Sequence, residues 1–447
     1  MMFLTYRFFR AFPRKRRIVC LSRESDRPTT DFRLIRHYVR QTHPDYSVVI
    51  LAKKLHNPVR YGFHMIRQLY FIATSQAVLL DTYAIVVSLL AGYIDVPIIQ
   101  MWHALGNMKK FGYTALGSKE GRKFSTASLL NMHRGYTSVL ISSKSFISDY
   151  ARGFDIDPSI IYEAPLPRTD LLINSSYRAQ QRERIIREFP ELGRKLNIVY
   201  CPTFRKKTPA NQTQAAAALA DAIDYDKYNL IVKCHPLDDL RINNPHVFQH
   251  YPSQYDMLFV ADYVISDYST VIYEAGLLDL PVFLYAYDWP DYSRKRSLYI
   301  DPKRDIPTLF TDDAEAIVRA IEHDDFDHAA YQAFIRRNAR HPRARLLHGA
   351  RSRARIRSHR RPLVRFPFPT SQVLSRGSPI CALSNGTSAG EGVGMVTDRL
   401  PSSPRLYHTM RFLRVLGLVW PRVIPGSSTD HWKMAVFMTR ALPHHVM

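Results

Sequence analysis

The sequence predicts an α/β protein of two Rossmann-like domains facing a cleft, with an irregular basic C-terminal tail. Three observations lead there. Short apolar runs alternate with helical patterns, the rhythm pauses near residue 175 and restarts, and composition changes after residue 340. Short buried strands alternating with helices imply parallel sheets covered on both faces. In such sheets ligands sit at the carboxyl ends of the strands.

Residues 1–15 form a lead-in that interleaves aromatic and basic side chains, "MMFLTYRFFRAFPRK". Its apolar run is too short and too charged for a signal peptide. Two readings stand side by side: a segment lying on an anionic membrane surface, and a plain approach to a basic first strand. No run reaches the 18 or so apolar residues a membrane span requires.

The first domain, residues 16–175, carries strand-like runs at 16–22, 46–52, 77–82, 96–103 and 138–143. A charged helical stretch, "YRAQQRERIIREFPEL" (177–192), opens the second domain, residues 176–340. Its strands are expected at 196–205, 228–236, 258–269 and 281–288. GxGxxG and GxxxxGK[ST] are both missing from the chain, so dehydrogenase and P-loop readings lose their main support.

The net charge is +23, but it is unevenly spread. Residues 341–447 hold 17 Lys+Arg against 3 Asp+Glu, while residues 1–340 hold 45 against 36. The excess therefore sits in an Arg/Pro/Ser-rich tail whose composition suits disorder or a shifted reading frame. A nucleic-acid role ranks last for that reason, and no specific nucleic acid is expected as a partner. The four cysteines, Cys20, Cys201, Cys234 and Cys381, form no CxxC pair, so neither a disulfide framework nor a zinc knuckle is indicated.

Chemistry-bearing residues collect where strands stop. "PIIQMWHALGNMKK" leaves a strand through Trp102-His103 into a small-residue turn. A histidine there is placed to take a proton near neutral pH, or to bond backbone. "NLIVKCHP" ends on Lys233 and His235, a pair that suits an anion better than a metal. "YCPTFRKK" offers Arg205, whose guanidinium can pair bidentately with phosphate, while Lys206 and Lys207 read as a solvated loop. "PRTD" contributes Arg168 and Asp170, best read as a hinge-region salt bridge. In "VISDYSTVIYEAGLLDLPVFLYAYD" (264–288) an apolar strand ends on five oxygen-bearing side chains just before a helix. Capping asks for one. Ser269 or Thr270 can cap while a spare hydroxyl meets a phosphate oxygen. Asp267 repels phosphate, so it should bond a hydroxyl, orient a His or Lys, or cap. Together these residues suit a nucleotide-diphosphate donor.

The motifs "WHALG", "PRTD", "CPTFR", "KCHP" and "SDYSTVIYEAGLLDLPVFLYAYD", in that order, resemble the CDP-glycerol glycerophosphotransferase family, the teichoic acid primases and polymerases. The resemblance covers roughly residues 15–335. It implies a GT-B-like fold and transfer of glycerol phosphate or ribitol phosphate from CDP-glycerol or CDP-ribitol. The implied acceptor is a hydroxyl of a lipid-linked teichoic-acid-like polymer at the inner membrane surface, and CMP is released. By motif, His103 is the general base; His235, Ser269 and Thr270 bind donor pyrophosphate, and Asp267 is a polar orienter. Arg205 and Lys233 join the donor site on the charge argument. No cofactor or metal is implied. Leu166 stands where many relatives carry Gly, and a helix near 313–338 should pack back across the first domain. A GT-B glycosyltransferase using a nucleotide-sugar, and a non-catalytic truncated relative, are the alternatives.

Overall fold

The computed structural model describes residues 1–118, 123–203, 205, 209–233, 240–249 and 254–339. Two parallel sheets dominate it, each with six strands among the described residues. The first contains β1 (Arg17–Ser22), β2 (Ser47–Ala52), β3 (Ala77–Leu80), β4 (Ile98–Gln100), β5 (Ser138–Ile141) and β6 (Ile161–Glu163), in the order β2-β1-β3-β4-β5-β6. The second contains β7 (Leu196–Cys201), β8 (Tyr228–Val232), β9 (Val247–Phe248), β10 (Tyr263–Ser266), β11 (Val282–Tyr285) and β12 (Phe310–Thr311). Its order, β12-β11-β10-β7-β8-β9, is the doubly wound Rossmann arrangement. The order reverses between β1 and β3 in one sheet and between β7 and β10 in the other, so each sheet has a crevice at the carboxyl ends of those strands.

Continuous apolar runs made these strands because helices cover both faces. β1, β3, β5, β8, β10 and β11 are buried at every position. The three elements that the sequence pattern missed, β6, β9 and β12, are two- or three-residue edge strands that carry no apolar run of their own. The expected strand over 258–269 is shorter: Gln254–Val260 is helical, and only Tyr263–Ser266 is strand. The sequence reading expects one helix near 313–338, but the chain makes two, Ala314–Glu322 and His328–Asn338, each started by an aspartate cap. The second reaches back to the first domain, where Ser143 Oγ donates to the Arg337 carbonyl at 2.5 Å and Ser142 Oγ to that of Asn338 at 3.4 Å.

The lead-in is a helix, Met2–Arg10, rather than an approach to a strand. Tyr6 is buried against the helix Pro58–Ala73, and Arg10 and Arg14 both bond Asp95. Cys20 and Cys201 are buried thiols on β1 and β7; burial raises the Cys20 thiol above its ordinary range. The basic tail after residue 340, together with Cys234, Lys206 and Lys207, lies outside the described residues.

The two domains are knitted rather than merely adjacent. One hydrophobic cluster runs from Val19 and Leu80 through Leu105 and Met108 to Tyr268, Tyr273 and Leu284. Met108–Lys110 pairs antiparallel with Ser297–Tyr299: Lys110 N–H donates to Ser297 O at 3.0 Å and Tyr299 N–H to Met108 O at 2.8 Å. Gly106 lies against the Tyr273 ring so closely that a Cβ would stand 2.1 Å from it. The small-residue turn after His103 is therefore required by the seam. Gly106→Ala should cost about 1–3 kcal/mol through this overlap. An unchanged urea midpoint would show that the ring moves aside without penalty.

Candidate active site

The loop that carries His103 begins where β4 stops. Trp102 adopts φ 58°, in the left-handed region that a bulky residue occupies only when its surroundings insist. Gln100 Oε1 accepts the Trp102 N–H at 2.9 Å, and the indole packs on Phe111 and Phe154. The chain thus turns sharply, and the His103 ring lies against the indole, tilted by 35° with centroids 4.4 Å apart.

His103 Nδ1 lies 3.0 Å from the Asp81 carbonyl oxygen at the end of the neighbouring strand β3. A carbonyl can only accept, so Nδ1 carries the hydrogen and Nε2 keeps a lone pair. The backbone of His103 is held as well: its carbonyl accepts from Arg168 Nη2 at 2.7 Å.

Arg168 does more than form a local hinge bridge. Its main-chain N–H and Nη1 bond the two oxygens of Asp31, at 2.8 and 2.9 Å, and Nη2 lies 3.4 Å from Glu274 Oε1. Asp31 belongs to the helix Thr30–Thr42 of the first domain and Glu274 to the helix Val271–Leu277 of the second. The hinge-region bridge expected of "PRTD" is made by Arg168 to residues 137 and 106 positions away. Spacing could not reveal it. Leu166 is buried at this turn, packed with Ala164 and Leu171.

Against His103 sits Asp81, which sequence reasoning passed over although it ends an apolar run as His103 does. Its carboxyl is almost wholly buried, and Thr29 Oγ1 donates to Oδ2 at 3.3 Å. Burial raises its pKa to about 7, aided by the negative charges of Glu24 and Asp31 and opposed by the Ser22 and Thr82 hydroxyls.

In the second domain, Asp267 follows β10 and reaches across to the end of β7. It is fully buried. Its oxygens accept from Thr203 N–H at 3.0 Å, Thr203 Oγ1 at 2.5 Å, Tyr268 N–H at 2.6 Å and Arg205 Nη2 at 2.9 Å. The expected hydroxyl partner is present, and the cation it orients is an arginine rather than a His or Lys.

Arg205 differs from expectation. Its guanidinium is buried and clamped by Asp288 (Nε to Oδ2 2.7 Å, Nη2 to Oδ1 3.0 Å), by Asp267 and by the Thr203 carbonyl, with Tyr292 4.5 Å away beneath its plane. Two carboxylates already neutralise it, so it braces β7, β10 and the Asp288 turn instead of presenting a fork to phosphate. The adjacent aspartates hold its proton more tightly than usual against the opposing effect of burial.

Ser269 and Thr270 stand half-buried beyond this frame. Ser269 Oγ caps Val271 N–H at 3.4 Å, while Thr270, the N-cap residue, makes no side-chain capping bond. Lys233 is half-buried at the end of β8, its N–H bonded to Tyr200 O at 2.8 Å. His235 lies outside the described residues.

A family model for CDP-glycerol:poly(glycerophosphate) glycerophosphotransferase matches residues 4–346. The chain belongs to this family. It is 29% identical to the teichoic acid poly(ribitol-phosphate) polymerase of Bacillus spizizenii over 60% of its own length and 44% of that relative's. With the teichoic acid ribitol-phosphate primase of the same organism it shares 26% identity, over 69% of this chain and 82% of the primase. The teichoic acid glycerol-phosphate primase of Bacillus subtilis is 26% identical over 64% of this chain and 73% of its own. The chain thus spans less than half of the polymerase and most of the primases. Its fold is that of the wall teichoic acid polymerase TagF, with TM-score 0.60 and 16% identity over 80% of this chain and 94% of that one.

Two outcomes test this electrostatic frame. Arg205→Gln leaves two buried aspartates facing each other and should cost about 3–5 kcal/mol of stability. A loss of donor affinity at an unchanged urea midpoint would instead make Arg205 a ligand. The second concerns Asp81. A carboxyl raised on folding supports stability fully below about pH 4 and loses that support as pH rises through about 7. Asp81→Asn should therefore gain on the wild type across that window, by roughly 3–4 kcal/mol at its upper end. A pH-independent difference in urea midpoints would rule this out.

Proposed function

We propose that the chain transfers glycerol phosphate or ribitol phosphate from a CDP-activated donor to a hydroxyl of a membrane-linked teichoic-acid-like polymer, releasing CMP. The observation that carries this is the His103 geometry: Nδ1–H is committed to the Asp81 carbonyl, leaving Nε2 as the base. Nε2 takes the proton of the acceptor hydroxyl, whose oxygen attacks the β-phosphorus of the donor. The bond between that phosphorus and the bridging oxygen breaks, and CMP leaves with the electron pair. The Ser269 and Thr270 hydroxyls and Lys233, at the strand ends beside the β7/β10 crevice, hold the pyrophosphate, joined by His235 on the motif resemblance. Asp267 and Arg205 keep that crevice in shape and do not touch the donor. Catalysis of this kind is positioning and charge stabilisation.

The acceptor is membrane-linked, and a surface suited to it exists on the first domain. Leu4, Phe8 and Phe12 are exposed on the lead-in, and Val59, Phe63 and Ile66 on one face of the helix Pro58–Ala73 that packs against it. Arg7, Arg14, Lys15, Arg60 and Arg67 are exposed on the same two segments. Apolar side chains rimmed by cations suit peripheral attachment to an anionic bilayer. Among the described residues no helix is long and apolar enough to cross one.

CMP release should require the lipid-linked acceptor and fall at least about 10²-fold in His103→Ala. Comparing CDP-glycerol with CDP-ribitol identifies the donor. No release from either, with a folded protein, would overturn the transferase reading. Phe8→Glu with Phe63→Glu should abolish co-sedimentation with anionic vesicles at an unchanged melting temperature; retained co-sedimentation would place attachment elsewhere.

A further inference from the structure

The parallel ladder between β3 and β4 ends at the pair Leu80 and Gln100, with Met101 N–H donating to Leu80 O at 2.8 Å. Beyond that point one side chain takes over. Gln100 is wholly buried. Its Oε1 accepts from Trp102 N–H at 2.9 Å, and its Nε2 donates to the Thr82 carbonyl at 3.2 Å. Each partner allows only one role, since a main-chain N–H donates and a carbonyl accepts. The orientation of the amide is therefore settled at both ends.

The second hydrogen of Nε2 goes to the Tyr136 hydroxyl at 3.1 Å. That buried hydroxyl is held from its far side, 2.9 Å from Nδ1 of His133. The arrangement bears directly on His103. Asp81 and Thr82 present consecutive carbonyls at the end of β3. The first accepts from His103 Nδ1 at 3.0 Å, and the second takes the Gln100 amide. The same amide grips the N–H of Trp102, the residue at φ 58° where the chain turns. Gln100 thus sets the span between the two strand ends that the His103 ring has to bridge. With no exposed surface it meets no substrate, so any effect on the reaction passes through His103.

We propose that Gln100 is a positioning residue for the base: its amide, steadied by Tyr136, replaces the next ladder bond and keeps the His103 ring on the Asp81 carbonyl. Without that amide the buried Trp102 N–H loses its acceptor and the turn relaxes. A ring released from the carbonyl samples both tautomers. Only the one with hydrogen on Nδ1 leaves Nε2 able to take a proton. This inference rests on the transferase reading above and names what holds the base of that reaction in place.

The test compares the full chain with Gln100→Met, Gln100→Glu and Tyr136→Phe, each first shown to unfold cooperatively. Nitrogen NMR of isotope-labelled histidine reads the His103 tautomer without turnover. Its signals are assigned among the 18 histidines by their loss in His103→Ala. The wild type should show the Nδ1-protonated tautomer alone. Gln100→Met should mix the tautomers and lower kcat about tenfold, with both KM values within about twofold. Gln100→Glu should restore the tautomer, and kcat to within about threefold of wild type. Burial keeps that carboxyl neutral, so it can still accept from Trp102 N–H and donate to Thr82 O. Tyr136→Phe should mix the tautomers in part and lower kcat about threefold. An unchanged tautomer in Gln100→Met, or in Tyr136→Phe if the former does not fold, would overturn the proposal. So would a loss that Gln100→Glu shares in full, or a rise in KM at unchanged kcat. Mixed tautomers in Gln100→Met beside a wild type that releases no CMP would uphold the role of Gln100 and sink the transferase reading instead.

Discussion

The active-site geometry depends on one side chain, Arg168. Its guanidinium and main-chain N–H meet Asp31 on a helix of the first domain, the carbonyl of His103 on the base loop, and Glu274 on a helix of the second. A buried arginine with two carboxylates is tolerable because each charge has a partner and the fork geometry satisfies several acceptors together. The consequence is mechanical. The backbone at His103 cannot shift relative to Arg168 without breaking a charge-assisted bond in a largely buried environment.

A second arginine solves the matching problem in the second domain. Asp267 and Asp288 end neighbouring strands, and two buried carboxylates so placed would repel. Arg205 between them turns repulsion into a brace and fixes the crevice at the strand-order reversal. The half-buried hydroxyls of Ser269 and Thr270 are then carried on a frame that has little freedom to move. Both arginines thus use their charge to hold shape, each clamped between carboxylates from different elements.

The base loop shows how strain is used. Trp102 sits at a positive φ without being glycine, held by Gln100 and by the aromatic packing of Phe111 and Phe154. That cost sets the ring of His103 against the Asp81 carbonyl and fixes its tautomer. The helices Met2–Arg10 and Pro58–Ala73, with their exposed apolar side chains, lie on the same domain as this loop.

The sequence by itself determined the two-sheet α/β plan, most strands, and the clustering of polar residues at strand ends. Those features are local: an apolar run bounded by turns is read within ten residues, and fully buried parallel strands need little else. It also placed His103, Asp267, Ser269 and Thr270 at the ends of strands. Only the tertiary structure decided which charges meet. Arg205 looked available for phosphate because it stands directly off a strand with a guanidinium able to pair bidentately, yet its partners are Asp267 and Asp288, brought in by the parallel pairing of β7, β10 and β11. Arg168 finds Asp31 and Glu274 on two distant helices, and Asp81 acquires its raised pKa from burial that no spacing encodes. Short edge strands escaped for the same reason, since β9 and β12 exist only because a neighbouring strand offers them hydrogen bonds. Where a side chain's role is set by contact across more than fifty residues, pattern names the candidate and packing assigns its part.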